Sequence, residues 1–222
     1  TRKAEYSALT AYNASYWRDK LIEEAVKRKI NIVFEAVLKD DRFDEVKNAI
    51  MIAKRAGYPI YSWSLAVNEN VSLYSMFNRY ENQIEMCGEG DIPPHPKNHD
   101  AAYQQFPKLV DRMIKEGVFD KVIVRDRAGI EYYDSSDNPK ISYLEAVEKG
   151  RRAFYDTPNW KQVLDGQWKR LIRKMQCRHA SDAEMFQAKK IMSRCLSPKK
   201  QTGNAGVTRK SAILKSVSKR RN

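Results

Sequence analysis

Three short apolar runs, separated by amphipathic stretches, organise the first two thirds of the chain. They occupy residues 30–35, 60–67 and 121–125. Each has the length and the β-branched or aromatic content of a buried strand. Apolar strands that alternate with helices predict βαβ units, and therefore an α/β fold with a mostly parallel sheet and flanking helices. A fourth run, residues 130–133, follows a turn at Gly129 and predicts an antiparallel edge strand.

Helices are predicted over residues 15–28 and 43–56, and again after the run at 60–67. The apolar stripe of this third helix consists of Leu73, Phe77, Tyr80 and Ile84. Arg79 points away from that stripe. An off-stripe arginine on a helix that follows a strand is a common way to aim a cation at a phosphate. The same pattern also describes a solvated arginine on an exposed face, so both interpretations stay open.

Glu35 is a second candidate, because of its position at the end of a predicted strand. Ligands of open α/β sheets bind at the carboxyl ends of the strands. A glutamate that merely begins a loop would look the same in the sequence. Position alone therefore does not decide between a site residue and a loop residue.

The C-terminal third carries the basic charge of the protein. Residues 148–222 hold 20 Lys/Arg and 5 Asp/Glu, whereas residues 1–147 hold 21 and 23. Capping boxes begin helices at Ser142 and Ser181. Residues 197–222 have eight basic side chains, no acid and no aromatic side chain, which predicts a disordered tail. The expected divisions are an α/β core over 1–140, a helical region over 141–196 and the tail over 197–222.

One apolar stripe dominates the helical region, and it is expected to pack on the α/β body. It consists of Trp160, Leu164, Trp168, Leu171 and Met175. The opposite faces are basic, which allows attachment to nucleic acid through counterion release. The tryptophans lie on the apolar stripe rather than among the basic residues, which favours a core role for them.

The cysteines and histidines predict neither a disulfide framework nor a metal site. Cys87, Cys177 and Cys195 are far apart and form no C-x-x-C pair. Three separated thiols favour a reducing compartment, so we expect a cytoplasmic protein. No metal is expected, because the three histidines form no ligand cluster with the cysteines. No apolar run reaches the length of a membrane span.

From about residue 12 to residue 136 the chain resembles the zeta toxin family. These are kinases with a phosphate-loop core that phosphorylate UDP-N-acetylglucosamine. The resemblance depends on the order and spacing of several short motifs: residues 31–35, similar to the family strand NLVIEGT; Asn78-Arg79-Tyr80-Glu81; His99-Asp100; Phe106-Pro107-Lys108-Leu109; and Arg125-Asp126-Arg127-Ala128-Gly129 before Tyr132-Tyr133. It implies an incomplete phosphate-loop NTPase-like core.

The departures from the family concern phosphate binding. No G-x-x-x-x-G-K-[ST] motif occurs in the chain. The phosphate loop and the catalytic acidic base are therefore expected upstream of Thr1, and the chain is expected to be a fragment that is inactive alone. The Gly-Thr of the family strand is replaced by Ala36-Val37, and a second family arginine falls at Ile92. Either a neighbour such as Arg127 or Lys97 replaces that arginine, or the transition-state charge is less well neutralised.

The resemblance implies roles for individual residues. Arg79 corresponds to the catalytic arginine, and Glu35, Asp19 and Lys39 correspond to substrate-binding positions. Arg127 is a possible phosphate contact. Surface ion pairing for Asp19 and a plain loop position for Lys39 remain open alternatives. We expect Glu35, Asp19 and Arg79 to converge on one cleft.

Two functional classes follow. The first is the substrate half of a nucleotide-sugar kinase, for which the complete family protein would use ATP and Mg²⁺, whereas this chain alone would bind neither. Its partners would be the nucleotide sugar and an antitoxin protein. The second is a basic binding module for nucleic acid or for an acidic partner protein. No membrane partner is expected.

Overall fold

We describe a computed structural model of the protein, which covers residues 2–90, 93–137 and 139–197, without the side chains of 2–9 and 11. In chain order the elements are α1 (Arg2–Lys27), α2 (Phe43–Arg55), β1 (Tyr61–Leu65), α3 (Glu69–Cys87), α4 (Pro96–Lys115), β2 (Lys121–Arg125), β3 (Glu131–Asp134), α5 (Tyr143–Ala153), α6 (Trp160–Cys177) and α7 (Asp182–Leu196). Apart from Ser197, the predicted tail lies outside the described residues, and so does Ile92.

The described strands form one mixed sheet in the order β1-β2-β3. Strands β1 and β2 run parallel, with Trp63 opposite Ile123. Strand β3 pairs antiparallel with β2, which confirms the predicted edge strand. The α/β class with flanking helices is therefore confirmed.

The strand predicted at residues 30–35 is wrong. Residues 30–39 have no regular secondary structure and do not join the sheet. Their side chains still alternate: Phe34 and Ala36 pack against the core, whereas Val33 is 98% exposed. A strand needs a ladder partner as well as an alternating pattern, and the open edge of β1 is not paired with this segment.

The first of two apolar cores lies between the sheet and helices α2, α4 and α5. At its centre the Tyr143 hydroxyl lies 2.9 Å from Ser64 Oγ, which satisfies two buried polar groups. The main buried side chains are Phe43 and Val46 of α2, Leu109, Val110 and Met113 of α4, Val122 and Val124 of β2, and Tyr143, Ala146 and Val147 of α5. This core fixes β1 and β2 side by side.

The second core joins α3 to α6 and α7. Leu73 and Phe77 of α3 are buried here, and Trp168 of α6 packs edge-on against Phe77 at a centroid distance of 5.4 Å. The α6 stripe therefore packs on α3 and α7, which confirms the core role of Trp168. Both predicted capping boxes are present, at Ser142 and at Ser181. No helix in the described ranges is long and apolar enough to cross a membrane.

Candidate functional site

The carboxyl ends of β1 and β2 lie together, and a hydrogen-bonded connection follows each strand. After β1, the Asn68 side chain accepts the Asn70 N–H at 3.0 Å and so caps α3. After β2, one carboxylate oxygen of Asp126 accepts the N–H groups two and four residues later, both at 2.9 Å. The turn that carries Arg127 is thus held at the sheet edge where α/β proteins bind ligands.

Arg127 reaches from this edge onto helix α3, one helical turn before Arg79, and we call the surface around these two arginines the strand-end surface. Arg127 Nη1 donates to Ser75 Oγ of α3 at 2.7 Å. Ser75 lies four residues before Arg79, and side chains at this spacing are neighbours on a helix. Arg79 is exposed, and within the described part of the chain no hydrogen bond or ion pair holds its guanidinium. The surface therefore presents two cations that can meet an anion.

A half-buried polar network joins α3, α4 and α7. His99 Nε2 lies 2.9 Å from Ser72 Oγ, and His99 Nδ1 lies 3.2 Å from Asp100 Oδ1. Asp100 also accepts two hydrogen bonds from Arg194, at 2.7 and 3.0 Å. Burial opposes the charged form, but the Arg194 and His99 bonds prevail and lower the pKa of Asp100. His99 and Asp100 therefore connect helices.

A groove of about 280 Å³ lies between α1, residues 34–37 and α2, and Glu35 lies on its wall. Its other lining residues are Ala14, Ser15, Arg18, Phe34, Ala36, Val37, Arg42 and Val46. Glu35 is exposed, and no described side chain forms an ion pair with it. The groove therefore offers a free carboxylate beside two guanidinium groups.

The two groove arginines are held by Glu45. Its Oε1 accepts bonds from Arg18 at 2.7 Å, from Arg42 at 2.8 Å and from Ser15 at 2.7 Å. The bonds from Arg42, Ser15 and Arg18 outweigh burial and lower the pKa of Glu45 to about 2. Arg18 also binds Asp19 at 2.6 Å. Glu45 thus remains ionised over the ordinary pH range and orients both cations.

The predicted site residues fall into two groups. Asp19 is close to the groove through its ion pair with Arg18, which lines the groove together with Glu35. Arg79 and Arg127 belong to the strand-end surface and do not line the groove. Lys39 precedes the 3₁₀ turn Asp40–Arg42. Its side chain does not line the groove either. The convergence of Glu35, Asp19 and Arg79 on one cleft stays a prediction.

One group of three acids, Glu131, Asp134 and Asp137, has carboxylate oxygens close enough to share a metal ion. Two of these acids already have cationic partners, however. Lys121 binds Asp134 at 2.7 Å, and Arg125 binds Glu131 at 2.7 Å. Because these ion pairs explain the cluster, it is not a candidate metal site.

The comparison with known protein families decides the assignment. The zeta toxin family model matches residues 1–138. The chain belongs to the zeta toxin family. No curated protein matches it. A solved structure from a study of the PezAT chromosomal toxin–antitoxin system of Streptococcus pneumoniae has a similar fold, with 18% identity and a TM-score of 0.51. The match covers 69% of this zeta family chain and 61% of that chain, so this chain spans less than two thirds of its solved relative.

Sequence reasoning missed the residues that orient the zeta family candidates. Ser75 holds Arg127, and Glu45 holds Arg18 and Arg42. These pairs are 52, 27 and 3 residues apart in sequence. Only the last spacing, Arg42 to Glu45 on neighbouring helical turns, is a local signal that the sequence could have shown.

Proposed function

We propose that this chain is the substrate-binding half of a zeta-type kinase that phosphorylates UDP-N-acetylglucosamine with ATP. The observation that carries the proposal is the free Arg79 beside the anchored Arg127 at the carboxyl ends of two parallel strands. In this assignment Arg79 meets the transferring phosphoryl group and Arg127 assists it. The groove at Glu35 takes the nucleotide sugar.

The residues suit these roles chemically. In phosphoryl transfer, rate comes from positioning and from neutralising charge on the phosphoryl oxygens. An arginine at the transferring group contributes on the order of 10³–10⁵ in rate. Glu35 can accept hydrogen bonds from sugar hydroxyls, while Asp19 keeps Arg18 turned toward the groove. Lys39 would lie at the margin of this substrate site.

ATP and Mg²⁺ do not fit the residues of this chain alone. A phosphate loop surrounds the β- and γ-phosphates with backbone N–H groups and a lysine, and the chain has no such motif. ATP and Mg²⁺ would therefore be bound by the complete family protein, through a phosphate loop that this chain does not contain. The chain alone is expected to bind no ATP.

The edge of strand β1 supports the proposal that a segment with a phosphate loop would join there. The N–H of Ala66 donates to the Arg125 carbonyl at 2.8 Å, so the even-numbered residues of β1 face β2. The odd-numbered residues Tyr61, Trp63 and Leu65 then present their backbone groups to the open edge. Their side chains are exposed as well, with Trp63 at 69%. A parallel sheet is normally covered on both faces, so a further strand and helix would complete this one.

The test uses a fusion protein. A strand, a phosphate loop and a helix with an acidic base are placed before Thr1, and ATP consumption is measured with UDP-N-acetylglucosamine. The fusion should be active, and Arg79→Ala should remove most of the activity. Arg173→Ala is the matched control, because Arg173 is also an exposed helical arginine without a partner among the described residues. Full activity of the Arg79→Ala fusion, or ATP turnover by the unfused chain, would show that the proposal is wrong.

A second candidate function is favoured by the outer face of α6. Lys161, Arg170 and Arg173 are exposed there, and the described residues supply no ion pair to any of them. Such a surface suits nucleic acid or an acidic partner, including an acidic antitoxin. Nucleic-acid binding should then weaken steeply with salt, because each phosphate contact adds about one unit to the slope of log K against log salt. DNA or RNA binding of that kind, together with an inactive fusion, would favour this alternative.

A further inference from the structure

Helix α3 packs in the second core through both of its halves, and polar contacts connect its beginning to α4 as well. The first half is tied to the sheet region, where His99 bonds Ser72 and the Tyr103 hydroxyl donates to the Val67 carbonyl at 2.9 Å. The second half is held from α6: Trp168 packs on Phe77. Arg79 lies in the second half. Its direction therefore depends on helices outside residues 1–138, the part that the family model matches.

The second half also has an ion pair with a buried carboxylate. Glu81 is 2% exposed, and its two carboxylate oxygens accept Arg178 Nε and Nη2 at 2.6 and 2.7 Å. A two-bond arginine–carboxylate pair fixes orientation as well as distance. Buried ion pairs add little net stability compared with apolar packing, so geometry is the better explanation for this one.

Arg178 also fixes the turn between α6 and α7. Its Nη2 donates to Glu184 Oε1 at 2.8 Å. Glu184 closes the capping box with Ser181 at the start of α7. The Arg178 bond, together with the Ser181 bonds, outweighs burial and lowers the pKa of Glu184 to about 2. One guanidinium group thus joins α3 to the beginning of α7.

Other contacts support the two ends of α3. Lys174 donates to Asn82 Oδ1 at 2.8 Å and pairs with Glu85, near the end of the helix. At its beginning, Arg194 of α7 pairs with Glu69. Helices α6 and α7 therefore hold α3 near both termini, and Arg79 projects from the opposite, exposed side.

We propose that Arg178, through Glu81, is a positioning residue for Arg79, and that α6 and α7 are part of the phosphoryl-transfer unit. The proposal rests on the proposed function for the role of Arg79. The effect of Arg178 on the position of Arg79 can, however, be measured without enzymatic activity. A misplacement of about 1 Å at a reacting centre can cost on the order of 10²-fold in rate. A small tilt of the second half of α3 is therefore enough to matter.

The kinetic test uses the fusion described above with Arg178→Lys, which keeps the charge but loses the two-bond geometry, and with Arg178→Gln. The kcat should fall about 10- to 100-fold while both KM values stay unchanged. Lys190→Gln, which removes a positive charge at an exposed position of α7, is the control and should have no effect. In an Arg79→Ala background, Arg178→Gln should cause little further loss, because both act through one group. Independent, multiplying losses would overturn the proposal.

The second measurement uses the unfused chain. A spin label is placed at position 79, after the exposed Cys87 and Cys177 are replaced by serine and the buried Cys195 is retained. Arg178→Lys should change the mobility of the label, whereas Lys190→Gln should not. An unchanged spectrum would overturn the positioning role even if the fusion is active. A changed spectrum with an inactive fusion would support the positioning of residue 79 by Arg178, and it would count against the proposed function alone.

Discussion

Gly150 lets helix α5 lie directly against the end of strand β1. A Cβ at this position would be 2.5 Å from the Ala66 Cβ and 3.1 Å from the Tyr132 ring. Ala66 follows β1 at the sheet edge that carries the strand-end surface. A side chain at position 150 would therefore push against the end of β1, next to the strand-end surface.

Replacing Gly150 by alanine should therefore destabilise the protein, by about 1–3 kcal/mol for an overpacked site. Gly166 of α6 is the matched control, because an added Cβ would meet only the far end of Arg170, at 3.9 Å. Gly166→Ala should stabilise by up to about 1 kcal/mol, through helix propensity. Urea unfolding of the two variants checks both signs. A Gly150→Ala protein as stable as Gly166→Ala would contradict the packing argument.

At the scale of elements, helix α1 has one buried apolar side chain among its described residues, Ile22, and is bonded to α2 through charges and one hydroxyl. Glu45 of α2 accepts bonds from Ser15 and Arg18 of α1. Tyr12, Trp17 and Leu21 of α1 are largely exposed, so apolar packing on that face contributes little. The orientation of α1, and with it the groove at Glu35, depends on the charge of one carboxylate.

This dependence predicts a pH effect. The pKa of Glu45 is lowered from 4.5 to about 2 in the folded protein. Because the folded pKa is depressed, its stabilising contribution is complete above about 4.5 and is lost as the pH falls toward 2. Glu45→Gln should remove this part of the pH dependence, as measured by urea midpoints between pH 5 and about 2. Asp44→Asn, an exposed neighbour, is the control, and equal pH profiles for the two variants would contradict the assignment.

The elements that the sequence predicts well are those set by local pattern. The α3 stripe placed Arg79 on an exposed face, and the capping boxes marked α5 and α7 at Ser142 and Ser181. The run at 30–35 has an equally clear local pattern, that of a strand, but it has no hydrogen-bonded partner strand. Strand pairing is a non-local property, which a local pattern does not determine. The same limit applies to the site. Arg178 and Glu81 are 97 residues apart, and no local pattern joins them.

At the scale of the whole molecule, the main irregularity is the edge of β1 with which no other described strand pairs. No charged residue occurs between Tyr58 and Asn68, so the edge lacks the lysines that usually prevent edge-to-edge association. Tyr61, Trp63 and Leu65 extend the exposed apolar surface across one face. Such a surface associates with further strands when none from the same polypeptide covers it.

The unfused chain should therefore self-associate through β1 as its concentration rises. Trp63→Lys should reduce this association, because each pairing would bury a charged side chain next to the sheet. Phe186→Lys is the matched control: Phe186 of α7 is also 69% exposed but lies far from β1 in the chain and belongs to a helix. Sedimentation velocity over a range of concentrations measures the effect.

In the fusion described above, the added strand should occupy the edge, so the difference between wild type and Trp63→Lys should disappear from the sedimentation profile. If instead Phe186→Lys prevented association and Trp63→Lys did not, the contact would lie on the helical side, and β1 would not be the edge at which the sheet is completed.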